Sequence, residues 1–268
     1  MFTLADSHIH LFDGGFRKSG VDEVAEYERL IKEYSIEAAL VVGYEGEEWA
    51  AGNNSFIAGL AESRPWIRPV AYLSPTELSV EHLETISAKN FIGISLYLLS
   101  TDDVEAIEGV SDEVWAWIVR RGWLISVNSK GELWRVWHGV LTRNPELRLC
   151  MSHLGLPEVD KEEPSDEMIA KELANQRLLH TFANVYLKFS GFYALEEVAP
   201  YFPYTKSYPY VRYILENFDN RRLIWGSDFT PALLRVSFEE TFAHLQRWLS
   251  SDELLEGILW KNLIEFLD

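Results

Sequence analysis

Apolar, β-branched-rich stretches recur along the chain at intervals of roughly 25–40 residues, and the segments between them carry apolar positions at helical period. Eight such stretches read as strands: FTLADSHIH (2–10), AALVVGY (38–44), IRPVAYL (67–73), FIGISLYL (91–98), WLISVNS (123–129), LRLCMSH (147–153), NVYLKFS (184–190) and RLIWGSD (222–228). Between them VDEVAEYERLIKEYS, SDEVWAWIVRRG, GELWRVWHGVLTRNP, SDEMIAKELANQRLLHTF and FEETFAHLQRWLSS read as helices, and SDELLEGILWKNLIEFLD closes the chain. Strictly alternating strands and helices predict an α/β fold with a parallel sheet. Eight βα units in 268 residues predict a single (β/α)8 TIM barrel, with room for distortion, as one domain spanning 1–268. An open doubly wound sheet is the alternative, but the glycine-rich dinucleotide turn is absent after the first strand. A barrel places its active site at the C-terminal strand ends. Two long loops there, GLPEVDKEEPSDE (155–167) and FYALEEVAPYFPYTKSYPY (192–210), are expected to wall the mouth.

Composition narrows the partners. Acidic residues outnumber basic ones 42 to 24, a formal charge of −18, which repels phosphate backbones and anionic membranes. The expected partner is a small-molecule substrate rather than nucleic acid or a membrane, and a homo-oligomer is left open. Cys150 is the single cysteine, so no internal disulfide forms. The N-terminus lacks the features of a signal peptide and no apolar run approaches ~20 residues, so a cytoplasmic location is expected.

Side-chain alternation puts Asp6, His8 and His10 on one face of the first strand, the barrel interior. Two imidazoles at that spacing stand ~6.6 Å apart along the strand, close enough to converge on one ion at ~2.0–2.1 Å. His153 closes the sixth stretch and Asp228 the eighth, so four residues from three strands meet at one mouth. Such a His/Asp set suits zinc or manganese and an activated water. The plainer alternatives are a hydrogen-bonded polar cluster without metal, His153 as a capping residue and Asp228 as an N-cap. Arg17 and Lys18 in the first loop are placed to meet a substrate carboxylate. Tyr44, Tyr72, Tyr97, Asn128, Ser190 and Tyr193 stand at strand ends, suited to hydrogen-bonding a polyhydroxylated ring. Lys188 faces inward and is expected to pair with an acid deep in the barrel. His82, His138, His180 and His244 fall in helical segments as surface or packing residues, and Trp115, Trp117, Trp134 and Trp137 pack helices onto the barrel.

DSHIH, SHLGLP, NVYLKFSGFY, WGSDFTP and the terminal KNLIEFL, in that order, resemble the amidohydrolase superfamily, specifically its amidohydrolase-2 branch. Within it the pattern is most similar to the sugar-lactone and pyrone-dicarboxylate lactonases, with SHLGLP and KFSG in place of their DHxGxP and KxSG elements. The resemblance implies that His8 and His10 bind a divalent ion or, in metal-free members, line the carbonyl site. It implies Asp228 as general base and His153 as carbonyl polariser or as a further member of a metal set with His8, His10 and Asp228. The departures are Ser152 where the lactonases have aspartate, and Tyr97 and Asn128 where metal-dependent members carry a histidine or a bridging lysine or glutamate. One zinc is therefore expected, with manganese or no metal as alternatives, and a lactone-opening hydrolase ahead of a nonoxidative decarboxylase. A catalytically inactive barrel that binds a metabolite or partner is the reading from another class.

Overall fold

Eight parallel strands pair in chain order: β1 (Leu4–Ile9), β2 (Ile36–Val42), β3 (Ile67–Tyr72), β4 (Gly93–Leu98), β5 (Leu124–Ser129), β6 (Arg148–Met151), β7 (Val185–Phe189) and β8 (Leu223–Trp225). The structure, a computed structural model, describes residues 3–159, 164–196, 202–249 and 251–268. Just beyond β8 the sheet closes on β1, where Ile9 bridges Phe229 and the Asp228 N–H donates to the His8 carbonyl at 2.8 Å. The result is the TIM barrel that the alternation predicts. Each predicted stretch holds one strand, and the sixth and eighth are cut short at 151 and 225, before the residues that carry the candidate chemistry.

Helices wrap the outside as their periodicity requires. Helix α1 (Glu23–Tyr34) starts where the Asp22 carboxylate accepts the Ala25 N–H at 3.0 Å, and it buries Tyr27 and Leu30 against the strands. Trp115, Trp134 and Trp137 are fully buried, and the rings of Trp115 and Trp137 meet edge-on at 5.9 Å. The long segment predicted over 165–182 forms two helices, Asp166–Glu172 and Ala174–Leu179, breaking at the fully buried Leu173. Among the described residues no helix is long and apolar enough to cross a membrane.

Inside the barrel, Ala5, Leu40, Val42, Val70, Leu124, Cys150 and Ile224 form an apolar plug with Leu263 and Phe266 of the last helix, Asn262–Leu267. The Asn262 amide fastens that helix to the start of β8, donating to the Leu223 carbonyl at 2.7 Å and to Asn220 at 2.9 Å. The N-terminal end of the barrel is thus stoppered by the end of the chain.

Strand β1 departs from simple alternation. Asp6 lies opposite Ala39 and Ile9 opposite Val41, three steps on β1 against two on β2, so one extra residue is inserted as a bulge. Ala5 precedes the bulge and faces the interior plug, whereas Asp6 accepts a hydrogen bond from the Tyr27 hydroxyl of α1 at 3.0 Å. Asp6 therefore does not share a face with His8 and His10, correcting the expectation from alternation. It also accepts the N–H groups of Ser227 (2.9 Å) and His8 (3.1 Å), tying β1, α1 and the loop after β8 together. Complete burial raises its pKa to about 6.

Candidate active site

The bulge that turns Asp6 outward turns His8 and His10 inward, where their Nε2 atoms come within 3.1 Å. His10 Nδ1 donates to the Val42 carbonyl at 2.7 Å, and a carbonyl only accepts, so the Nε2 of the neutral ring keeps its lone pair for the site. His153 and Asp228 lie just past β6 and β8 with φ of 54° and 58°, the left-handed region that side-chain-bearing residues rarely adopt. There Asp228 Oδ1 stands 3.8 Å from His8 Nε2 and 3.6 Å from His10 Nε2. Donor atoms of His8, His153 and Asp228 all lie within 4.8 Å of one another. Neither residue acts as the helix cap considered from sequence alone: the Asp228 side chain is engaged by Tyr193 and the imidazoles, and His153 Nδ1 by Ser190.

One short run on β7 and its following turn supports three of these four side chains. Lys188 Nζ lies 3.1 Å from His8 Nδ1 and donates to Ser126 Oγ at 2.8 Å. Ser190 Oγ is 2.9 Å from His153 Nδ1, and the Tyr193 hydroxyl donates to Asp228 Oδ2 at 2.7 Å. Gly191, at φ +66°, sits under the His153 ring, where an added Cβ would fall 2.4 Å from Nδ1; only glycine fits. Two expectations change here. Ser190 and Tyr193, expected on substrate, spend their hydrogen bonds on His153 and Asp228, because β7 lies between the strands that carry them. Lys188 pairs with a histidine and a serine instead of a deep acid, because the bulge has removed Asp6 from the interior.

Burial sets the electrostatics. It holds the pKa of His8, His10 and His153 below the ordinary imidazole value, and the Lys188 charge lowers all three further. Burial also brings Lys188 down to about 8. The three imidazoles beside Asp228 are therefore neutral at neutral pH. Ligand atoms of a tetrahedral ion with ~2.1 Å bonds are ~3.4 Å apart. The separations of 3.1, 3.6 and 3.8 Å among His8, His10 and Asp228 bracket that value, with His153 adjacent. Two overlapping trios, His8 with His10 and Asp228 and His8 with His153 and Asp228, each fit one divalent ion, and among the described residues no other group of three histidine, cysteine or acidic side chains does. Lys188 occupies the place beside His8 where a ligating histidine more often meets a carboxylate or carbonyl.

Above His10 opens a pocket of about 250 Å³. Tyr97, Arg17 and Tyr44 line it, while Tyr72 packs behind at 5.6 Å from the Tyr44 ring. Asn128, opposite Tyr97 in the sheet register, is buried beside it, and its Oδ1 has no hydrogen-bond partner among the described residues. Sequence reasoning missed Phe12, Phe16 and Trp49, which complete the wall; the signal was their position just past the first two strands, in HLFDGGF and YEGEEW. Of the two loops expected as walls, residues 160–163 and 197–201 lie outside the described residues. His82 and His138 are exposed on their helices, and His180 and His244 are buried in packing positions.

A family model described as amidohydrolase matches residues 5–268. The chain belongs to the amidohydrolase family. Among solved structures, this amidohydrolase is similar to one from Burkholderia multivorans with bound zinc, at 17% identity over 98% of each chain and a TM-score of 0.80. It is also similar to a candidate 2-pyrone-4,6-dicarboxylic acid hydrolase from Pseudomonas putida (17% identity, 99% of this chain and 97% of that one, TM-score 0.76). A third structure, described by the same activity, comes from Acinetobacter baumannii with citric acid bound (16% identity, 98% of each chain, TM-score 0.69). At such identities the likeness carries the fold. No functionally curated protein matches the sequence.

Proposed function

We propose that this amidohydrolase opens the ring of a small lactone by adding water to its carbonyl. The observation that carries the reading is a carboxylate with two different oxygens: Asp228 Oδ2 is bound by Tyr193, while Oδ1 faces the Nε2 atoms of His8 and His10. Held this way, Oδ1 accepts a proton from a water that attacks the carbonyl carbon. The oxyanion of the tetrahedral intermediate is met by imidazole N–H donors, with His153 anchored through Ser190 to present its Nε2. The ring C–O bond then breaks, and the departing oxygen takes the proton back from Asp228, leaving a hydroxy acid. His8, His10, His153 and Asp228 would hold a divalent ion, which when bound supplies Lewis acidity to the carbonyl and acidifies water. Two of the similar structures are described as 2-pyrone-4,6-dicarboxylic acid hydrolases, which supports a hydrolytic direction.

The test is product analysis together with metal content. Purified protein is analysed for zinc and manganese, chelated, and assayed on a lactone panel before and after. Gain of one water per turnover supports the reading. Loss of carbon dioxide from a carboxylated substrate would assign the site to nonoxidative decarboxylation instead, and about one ion per chain whose removal abolishes turnover would establish metal dependence.

A further inference from the structure

The pocket above the site has a character that the polar cluster beneath it does not. Its wall is aromatic. Phe12 and Trp49 meet edge-on at 4.8 Å, Phe16 and Trp49 at 5.1 Å, and Tyr44 and Tyr97 at 5.2 Å. The Trp49 indole N–H, its one polar group, is spent on the Glu47 carboxylate at 3.0 Å, which leaves the ring carbons to the pocket. The hydroxyls that line the pocket are two, those of Tyr44 and Tyr97, since Ser190 and Tyr193 are committed to His153 and Asp228. A polyhydroxylated ring entering here would strip water from several hydroxyls and find few partners, a penalty no stacking returns.

Charge sharpens the choice. Arg17 lines the pocket with its guanidinium 5.2 Å from the Phe16 ring centre and makes no ion pair among the described residues. Lys18, its neighbour, donates instead to the Asp13 carbonyl and does not line the pocket. Glu47, on the same wall, repels a second carboxylate. The volume of about 250 Å³ is small for a ligand pocket, where ~300 Å³ and upward is usual.

We infer that the substrate is a compact lactone fused to or carrying a flat aromatic ring, with one carboxylate that Arg17 receives, rather than a sugar lactone or a dicarboxylate. The inference rests on the hydrolytic reading for its reaction but on the pocket wall for its substrate class. Aromatic faces of Trp49 and Tyr97 clasp the ring.

The experiment compares four probes on the purified protein: dihydrocoumarin, a dihydrocoumarin bearing one ring carboxylate, gluconolactone and pyrone dicarboxylate. The expected result is a kcat/KM for the carboxylated dihydrocoumarin about a hundredfold above gluconolactone and the dicarboxylate, in line with what pocket contacts discriminate. Trp49→Ala should shrink the aromatic preference about tenfold through KM, and Trp49→Phe should restore most of it, as ring packing requires. Arg17→Ala should cut the preference for the carboxylated over the neutral dihydrocoumarin about tenfold, the scale of one charge-assisted contact. Preference for gluconolactone or the dicarboxylate, or an aromatic preference that survives both Trp49→Ala and Arg17→Ala, would overturn the inference while leaving lactone hydrolysis standing. If no lactone is turned over, hydrolysis falls and calorimetry decides the substrate class. Binding of hydroxyphenylpropanoate that exceeds gluconate and is lost in Arg17→Ala and Trp49→Ala upholds it; equal or absent binding sinks it.

Discussion

The two ends of this barrel are built from the same eight strands and obey opposite rules. At the N-terminal end Leu263 and Phe266 enter among Leu40, Val70, Leu124 and Ile224, and every side chain is satisfied by contact alone. At the C-terminal end His8, His10, His153 and Asp228 face one another, each held from behind by a hydrogen bond or an uncommon backbone angle. Packing at the lower end is tolerant, because any apolar group of the right volume serves. Geometry at the upper end is not, because a donor moved by an ångström no longer meets its partner. Stability and chemistry are therefore separable along the barrel axis, and substitutions at the two ends should fail in different currencies.

The largest effect is expected at the upper end. Asp228→Asn keeps the shape and a Tyr193 hydrogen bond but removes the proton acceptor, so kcat should fall by about 10²–10⁴-fold or more, with thermal unfolding little changed. Steady-state assay alongside a melting curve checks this, and retained turnover would break the division between the two ends at its strongest point.

Next comes its counterpart below. Leu263→Ala opens a cavity in the plug and should cost about 2–5 kcal/mol in denaturant unfolding, while kcat of the folded fraction stays within twofold of the parent, about the scatter expected for a remote site. A stable variant with impaired turnover would show that the plug reaches the chemistry.

Ser190→Ala probes the support rather than the reacting groups. Without Oγ the His153 ring loses its Nδ1 partner, and activity or metal affinity should drop about 10–100-fold, the usual cost of such a partner. Titrating metal into the variant and measuring turnover at saturation separates the two losses. Activity equal to the parent's at every metal concentration would mean that Gly191 and the backbone alone hold the ring.

How much of this was legible beforehand follows the same axis. The strands, their order and the barrel are carried by local periodicity, which a sequence displays directly, and His8, His10, His153 and Asp228 stand out as polar residues at strand ends. Asp6 was misread because a one-residue bulge reverses alternation without any mark in composition; nothing in LADSHI separates a regular strand from a bulged one. Lys188, Ser190 and Tyr193 were seen as inward or near the site, but their partners lie on or just past other strands, 35 to 180 residues away in sequence, and pairing at that range is a property of the closed barrel. The aromatic wall was missed for a related reason: Phe12, Phe16 and Trp49 lie on two separate loops and share a wall only once the fold brings those loops together.

The last effect appears only in acid, and it compares a buried histidine at each end. His244 sits among Phe192, Tyr204 and Trp248, with ring centres at 4.4, 5.1 and 4.7 Å, beneath the turn that supports His153. Its Nδ1 donates to the Glu240 carbonyl at 3.2 Å, its Nε2 has no partner, and burial holds its pKa down at about 3. His180, near the Asp219 carbonyl below the start of β8, is held at about 4 by burial and by Arg222. Both are neutral when folded but take up a proton near pH 6.5 when unfolded, so the unfolded state binds more protons below that pH. The stability they contribute is complete above pH 6.5 and is lost as pH falls towards 4 and then 3, at about 1.4 kcal/mol per pH unit for each ring. His244→Phe should remove one ring's share of that slope between pH 6.5 and 4, the window in which both are still titrating, and leave the share of His180. Denaturant unfolding at several pH values measures it. Parallel stability curves for the variant and the parent would mean that His244 is already solvated in the folded protein, and that the aromatic packing beneath the upper rim is looser than the plug at the base.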